Sequence, residues 1–76
     1  MSANKLNLPP VETVAAAVHQ AWIELKQSQG VTSRPSGVTG KEQMVPYEEL
    51  EEADKEADRQ TVLAVYAAIE RTAVTA

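Results

Sequence analysis

Apolar residues recur through the first third of the chain as Val11, Val14, Ala15, Val18, Trp22 and Leu25. Steps of three and four place them on one helical face. Pro9 and Pro10 come just before this run and suit a helix's first turn, where a missing N–H goes unused. Gly30 follows "KQSQ" and is a natural stop, because glycine takes the left-handed conformation that ends helices. The pattern predicts a first helix from about residue 10 to about residue 29.

Residues 31–46, "VTSRPSGVTGKEQMVP", lose the periodicity and hold two glycines, two prolines and four Ser or Thr hydroxyls. They read as a loop, with only a weak signal for a strand pair inside it. The loop is long for a small domain, and long ordered loops tend to carry function. It is also poor in Leu, Ile and aromatic residues, so core packing is not its main purpose. Tyr47 to Leu50 then predict a short turn. A second helix follows from about residue 51 to about 72, with an apolar face through Ala53, Ala57, Thr61, Ala64 or Val65, and Ala68 or Ile69. Its segment "TVLAVYAAI" is the densest apolar run and is expected to pack against the first helix. The expected fold is mainly α: two packed helices joined by a long irregular loop. Residues 1–8 read as a flexible lead-in, 9–72 as one domain and 73–76 as a loose end.

Length and composition narrow the function classes. With 76 residues there is room for one core, and a chain this small buries only about 60% of its unfolded surface. The absence of cysteine excludes disulfides, thiolate zinc sites and thiol nucleophiles together. A small fold without such staples often leans on oligomerisation. The net charge of −4 argues against a general binder of polymeric nucleic acid, which needs a basic stripe to neutralise phosphates. A single nucleotide needs only one or two cations and a few backbone N–H groups, so it stays open. No run serves as a signal sequence or approaches the roughly 20 apolar residues of a membrane span. A cytoplasmic protein with no membrane contact is expected.

The stretch "MVPYEELEEADKEADRQTV", residues 44–62, carries seven carboxylates and two basic residues. It is not an EF-hand loop, which sets oxygen ligands at alternate positions around a glycine, since no glycine lies between Glu42 and Ala76. Acids at a helix start offset the positive end of its dipole by about 0.3–1 kcal/mol each. Glu51 with Lys55 and Glu56 with Arg59 are at helical pairing distance. Most of Glu48 to Glu56 therefore reads as a solvated helix start, with no metal site. Catalysis is equally unsupported: there is no Ser-His-Asp or Cys-His pattern and no phosphate loop, and the single histidine has no second ligand partner. The chain reads as a non-enzyme with no cofactor.

The order of the letters adds more. His19 and Trp22 in "VHQAW", then Gln29–Gly30, Arg34, "VPYEEL" from Val45 to Leu50 and "KEADRQT" from Lys55 to Thr61 together resemble the ryanodine receptor repeat (RyR) domain. The likeness spans about residues 11 to 70. The chain departs from the family pattern in and beside the loop. Val31 stands where an aromatic is usual, Glu51 where a proline is common, and the loop lacks the family's acid and second histidine.

The resemblance implies a module that binds a nucleotide-like small molecule. Stand-alone members occur in bacteria, archaea and their viruses, in settings where modified or cyclic nucleotides act as defence signals. A phage protein that sequesters a cyclic nucleotide or ADP-ribose-type immune signal is one such role. In the animal receptors ligand sits between paired repeats, so a single repeat is expected to form a homodimer or higher homo-oligomer with ligand near the interface. The candidate ligand residues are His19, Trp22, Lys26, Arg34, Tyr47, Asp58 and Arg59. Trp22 offers an indole face for stacking on a base, or else anchors the core. His19, one turn before it, bonds a base, ribose or phosphate, or else is structural; Lys26, one turn after, adds charge or is an ordinary surface lysine. The Arg34 guanidinium suits an oxyanion, or is an ordinary loop arginine. Tyr47 stacks, or plugs the gap between the helices. Asp58 and Arg59 reach ligand, or pair within the helix. The alternative function is a protein-interaction adaptor whose acidic helix start and loop engage a basic partner.

Overall fold

The computed structural model of the chain describes residues 7–75, with side chains to residue 73. Most of the expected lead-in, residues 1–6, lies outside the described residues. The architecture is mainly helical, with α1 (Val11–Ser28) and α2 (Glu52–Thr75) joined by a long loop that ends in a 3₁₀ turn (Tyr47–Glu49). Among the described residues, no helix is long and apolar enough to cross a membrane.

Both ends of α1 follow from local chemistry. The prolines stand just outside the helix. Pro10 is its N-cap, and the Pro10 carbonyl accepts the Val14 N–H at 3.2 Å. At the other end Gly30 takes φ +80°. Its N–H donates to the Gln27 carbonyl at 3.0 Å while the Val31 N–H donates to the Lys26 carbonyl at 2.9 Å. This pair of bonds is the Schellman arrangement, which satisfies carbonyls that a helix end leaves free. Gly30 is the stop that the sequence suggested.

The helices run antiparallel. Tyr66 donates its hydroxyl to the Pro9 carbonyl at 2.8 Å, Ala15 and Val62 share the core, and His19 faces Asp58, so partner numbers fall as α1 rises. The buried side of α1 runs in steps of four through Ala15, His19 and Ile23. Its counterpart on α2 is the row Asp54, Asp58, Val62 and Tyr66, each buried or partly buried. Tyr47 and Leu50, from the 3₁₀ turn and the residue after it, complete the cluster around Ala15 and Val62.

The row on α2 corrects the sequence expectation. Ala53, Ala57, Thr61, Ala64, Val65, Ala68 and Ile69 are all exposed. At 100° per residue, the predicted apolar face lies to one side of the buried row. Polar residues occupy the buried side because each finds a partner there: hydroxyls for Asp54, an imidazole for Asp58. Periodicity of apolar residues cannot register such pairing. α2 also continues to Thr75, three residues beyond its expected end, so residues 73–75 are helical rather than loose.

The loop is more ordered than its composition suggested. Ser36 N–H donates to the Lys41 carbonyl at 2.8 Å and Gln43 N–H to the Arg34 carbonyl at 3.0 Å. Pro35 and Glu42 form an isolated antiparallel bridge, all that the weakly signalled strand pair becomes. Gly40, at φ +75°, closes the tip by donating its N–H to the Ser36 carbonyl at 2.9 Å.

Ala15 has no exposed surface, at the point where α1, α2 and Tyr47 meet. Ala15→Leu adds three carbons where no space exists and should cost about 1–3 kcal/mol in urea unfolding. Val18→Leu, on the exposed side of the same helix, should change stability by less than about 0.5 kcal/mol.

Candidate functional site

The middle of α1 carries a buried histidine whose position is fixed from three directions. His19 Nε2 lies 2.7 Å from the Val45 carbonyl oxygen. A carbonyl can only accept, so Nε2 carries a proton. The other ring nitrogen, Nδ1, faces Asp58 Oδ2 at 4.0 Å, an ion-pair distance too long for a direct hydrogen bond. Trp22, one turn on, stacks against the imidazole with ring centroids 5.7 Å apart and planes 24° from parallel. Tyr47 meets it at a tilt, 6.2 Å and 58°. His19, Trp22, Tyr47 and Asp58 thus form one cluster.

The other candidates do not all join it. Tyr47 is in the core and acts as the plug between the helices. Its buried Oη has no hydrogen-bond partner among the described residues. Burial, with the Glu12 carboxylate nearby, pushes the phenol above its ordinary pKa. The Lys55 ammonium sits 5.7 Å from the Tyr47 ring centroid, within cation–π range.

Arg59 lies towards the Glu12 end of α1, where its guanidinium is fully engaged. Nε donates to Glu12 at 2.7 Å, and Nη1 donates to Glu52 at 2.7 Å and to Glu56 at 3.0 Å. These hydrogen bonds raise its already high pKa and hold the Glu12 carboxyl below its usual range, while Glu56 is lowered first by the Gln60 side-chain amide and then by Arg59. A guanidinium so occupied is not offered to an anion. Arg34 is exposed on the loop, and its guanidinium makes no hydrogen bond or ion pair among the described residues. Lys26 is half-buried one turn after Trp22, and its ammonium likewise has no such partner.

Two carboxylates that the sequence left as solvated or unassigned, Asp54 and Glu42, fix the loop. Asp54, only 6% exposed, accepts the Ser36 hydroxyl at 2.7 Å through Oδ1 and the Thr39 hydroxyl at 2.9 Å through Oδ2. Ser36 Oγ also accepts the N–H groups of Val38 and Thr39, at 3.0 and 3.1 Å. One buried carboxylate therefore ties the loop tip to the first turn of α2, where the helix dipole favours a negative charge. At the loop base Glu42 accepts from Ser33 Oγ at 2.5 Å, Arg34 N–H at 2.7 Å and Met44 N–H at 3.0 Å. Led by the Ser33 bond, these contacts lower the Glu42 pKa. One signal for Asp54 was present in the sequence: it lies four residues before Asp58 and eight before Val62, in the same helical row.

Among the described residues, no group of three or more His, Asp or Glu side chains is placed to hold a metal ion. The arrangement is a braced aromatic surface beside an ordered loop. No family model, curated protein or solved structure matches the chain. The likeness to the RyR repeat therefore rests on the residues quoted above.

Two measurements check this geometry. Asp54→Ala removes the acceptor of two hydroxyl bonds and should cost about 3–6 kcal/mol in urea unfolding, since hydrogen bonds to a charged group contribute about 1.5–3 each. Asp54→Asn, which keeps one acceptor oxygen, should cost less.

Asp58 is raised from its ordinary 3.8, chiefly by burial, with the His19 charge opposing and Asp54 adding to the rise. A carboxyl with a raised folded-state pKa stabilises the fold while protonated, and that contribution is lost as pH rises above the unfolded value. Asp58→Asn should therefore gain stability relative to the native chain as pH goes from about 4 to about 6. Equal pH slopes for the two proteins would show that Asp58 titrates as it does in the unfolded chain.

Proposed function

We propose that the chain is a small non-catalytic binding module that captures a nucleotide-derived ligand, with Trp22 as the stacking surface. The observation that carries this reading is the Trp22–His19 stack. The chain's one tryptophan is partly exposed, and its ring is braced by an imidazole that Val45 and Asp58 hold in place. A ring held in this way loses little freedom when a base stacks on it, which favours affinity. Base–aromatic stacking contributes about 1–3 kcal/mol per base in single-strand binders.

Charge supports the reading modestly. Lys26 lies one helical turn from Trp22, which puts one cation beside the ring, and the Arg34 guanidinium on the loop is uncommitted among the described residues. Arg59 is not among them, and Tyr47 and Asp58 act by positioning His19. The resemblance to the RyR repeat adds the ligand class, a cyclic nucleotide or ADP-ribose-type signal. It also adds self-association and, for a phage protein, sequestration of a host immune signal as the role.

Calorimetry of the folded chain against a panel of cyclic and ADP-ribose-type nucleotides tests the proposal. One class should bind. Trp22→Ala should weaken that binding by about 5- to 150-fold, the equivalent of one stacked base, with an unchanged circular-dichroism spectrum. Arg34→Ala should weaken it with a reduced salt dependence. Ligand recovered intact after denaturation would agree with capture, whereas a converted product would indicate an enzyme. Silence across the panel would overturn the ligand reading.

One observation favours the adaptor instead: Glu48, Glu49, Glu51 and Glu52 are all exposed along one short segment. That reading requires a basic protein partner whose capture is weakened by salt and indifferent to Trp22→Ala.

A further inference from the structure

Val65, Ile69 and the residues beside them form an apolar face that α2 turns outward, uncovered by the core cluster among the described residues. Val65 is 51% exposed and Ile69 39% exposed. On α1, Val18 is 47% exposed, and Val14 beside it is only partly covered. Glu12, His19 and Ile23 lie to one side of the buried Ala15 on α1, while Val14, Val18 and Leu25 lie to the other at 100° per residue. On α2, Arg59 and Tyr66 lie to one side of Val62, and Thr61, Val65 and Ala68 to the other. Because Arg59 reaches Glu12, those two sides coincide. Val14 and Val18 therefore share the opposite face of the two-helix layer with Thr61 and Val65.

We propose that this face is a homodimer interface, in which α2 packs antiparallel on α2 of a second copy about a two-fold axis near residues 66 and 67. Three features select a second copy as the occupant. The first is self-complementarity, which a two-fold interface requires because each patch meets itself. Thr61, Val65, Ala68 and Thr72 are spaced four, three and four, a palindrome. Reversed on itself, it brings Val65 to the level of Ala68, large against small, as close helix packing needs.

The second feature is charge. None of these α2 positions, nor Val14 and Val18, is charged, in a chain where 24% of residues are. A basic partner would find nothing to pair with here. The third is area. Two helices, each about 10 Å across and about 27 Å long, offer roughly 500–600 Å² per copy. About 1,000–1,200 Å² in total just clears the size of a specific interface and fits an association of roughly micromolar strength. Each copy carries −4, so repulsion opposes pairing and salt relieves it. This proposal deepens the self-association named in the proposed function by assigning it a face; no ligand takes part in the contact, so its test is separate from the ligand panel.

Sedimentation equilibrium of the full chain from about 1 µM to about 1 mM tests it. Twice the chain mass should emerge with rising concentration, and added salt should strengthen the dimer. Val18→Glu and Val65→Glu change exposed positions only. Each should return the protein to one chain mass with its helical spectrum intact.

The chain lacks cysteine, so register can be read by disulfide trapping. A mixture of Val65→Cys and Ala68→Cys chains should cross-link, and Gln60→Cys, on the far side of α2, should not. One chain mass throughout would overturn the proposal. So would a dimer indifferent to Val65→Glu, a dimer weakened by salt, or cross-linking through residue 60 alone.

Discussion

Much of the fold is organised around a buried imidazole that three segments must satisfy together. His19 projects from the middle of α1, binds the Val45 carbonyl just ahead of the 3₁₀ turn, and faces Asp58 on α2. Burying a polar ring without partners is costly, so each contact constrains the other two. The Val45 carbonyl fixes a proton on Nε2, which leaves Nδ1 as the atom that faces Asp58. Asp58 must then share the interior with Asp54 one turn earlier, and the chain resolves that crowding by giving Asp54 the hydroxyls of Ser36 and Thr39. The loop is held where it is because the helices bury acids, and the helices can bury acids because the loop supplies hydroxyls.

This reciprocity explains which features could be read from the letters. α1, its stop at Gly30, the short turn after Pro46 and the existence of α2 all rest on local chemistry, and local chemistry is written in neighbouring residues. The facing of α2 is not local. Asp54, Asp58 and Arg59 look like solvent-facing residues until Ser36, His19 and Glu12 are brought beside them across 18, 39 and 47 positions. A pattern reading assigns the Ala and Val positions to the core because it has no means of matching acids with distant hydroxyls. The same limit applies to the site. Tyr47 as the plug was among the open alternatives, and so was the pairing of Arg59 within its own helix. The carboxylate triad around Arg59, completed by Glu12 from α1, was not foreseen.

The consequence for function is a separation of roles along one sequence word. In "VPYEEL", the Val45 carbonyl and the Tyr47 ring serve His19 and the core. In "KEADRQT", Asp58 serves His19 while Arg59 closes the Glu12 end. Residues that identify the resemblance thus hold a platform in place more than they present groups to solvent. What they leave accessible is the Trp22 ring, with Lys26 a turn away and Arg34 on a loop pinned at both its tip and its base. On the binding-module reading proposed above, such an arrangement would favour ligands recognised by a flat apolar surface and a modest negative charge over extended polyanions.

The size of the core bears on how such a platform can be rigid at all. Only Ala15, Ile23, Tyr47, Leu50 and Val62 are buried hydrophobics among the described residues, and no large side chain is fully enclosed. With so little apolar burial, the polar contacts carry an unusual share of the specification of α2, and polar contacts in a small domain are vulnerable to water. Covering the outer face of α2 would shift that balance: it adds apolar burial on the side of α2 next to Asp54 and Asp58 and lowers water access to that row. Strengthening the helix pair would in turn hold His19, and through it Trp22, more firmly. On the pairing proposed above, a second copy would act on the aromatic platform without touching it, through the orientation of α2 and the Asp58 side chain that faces His19.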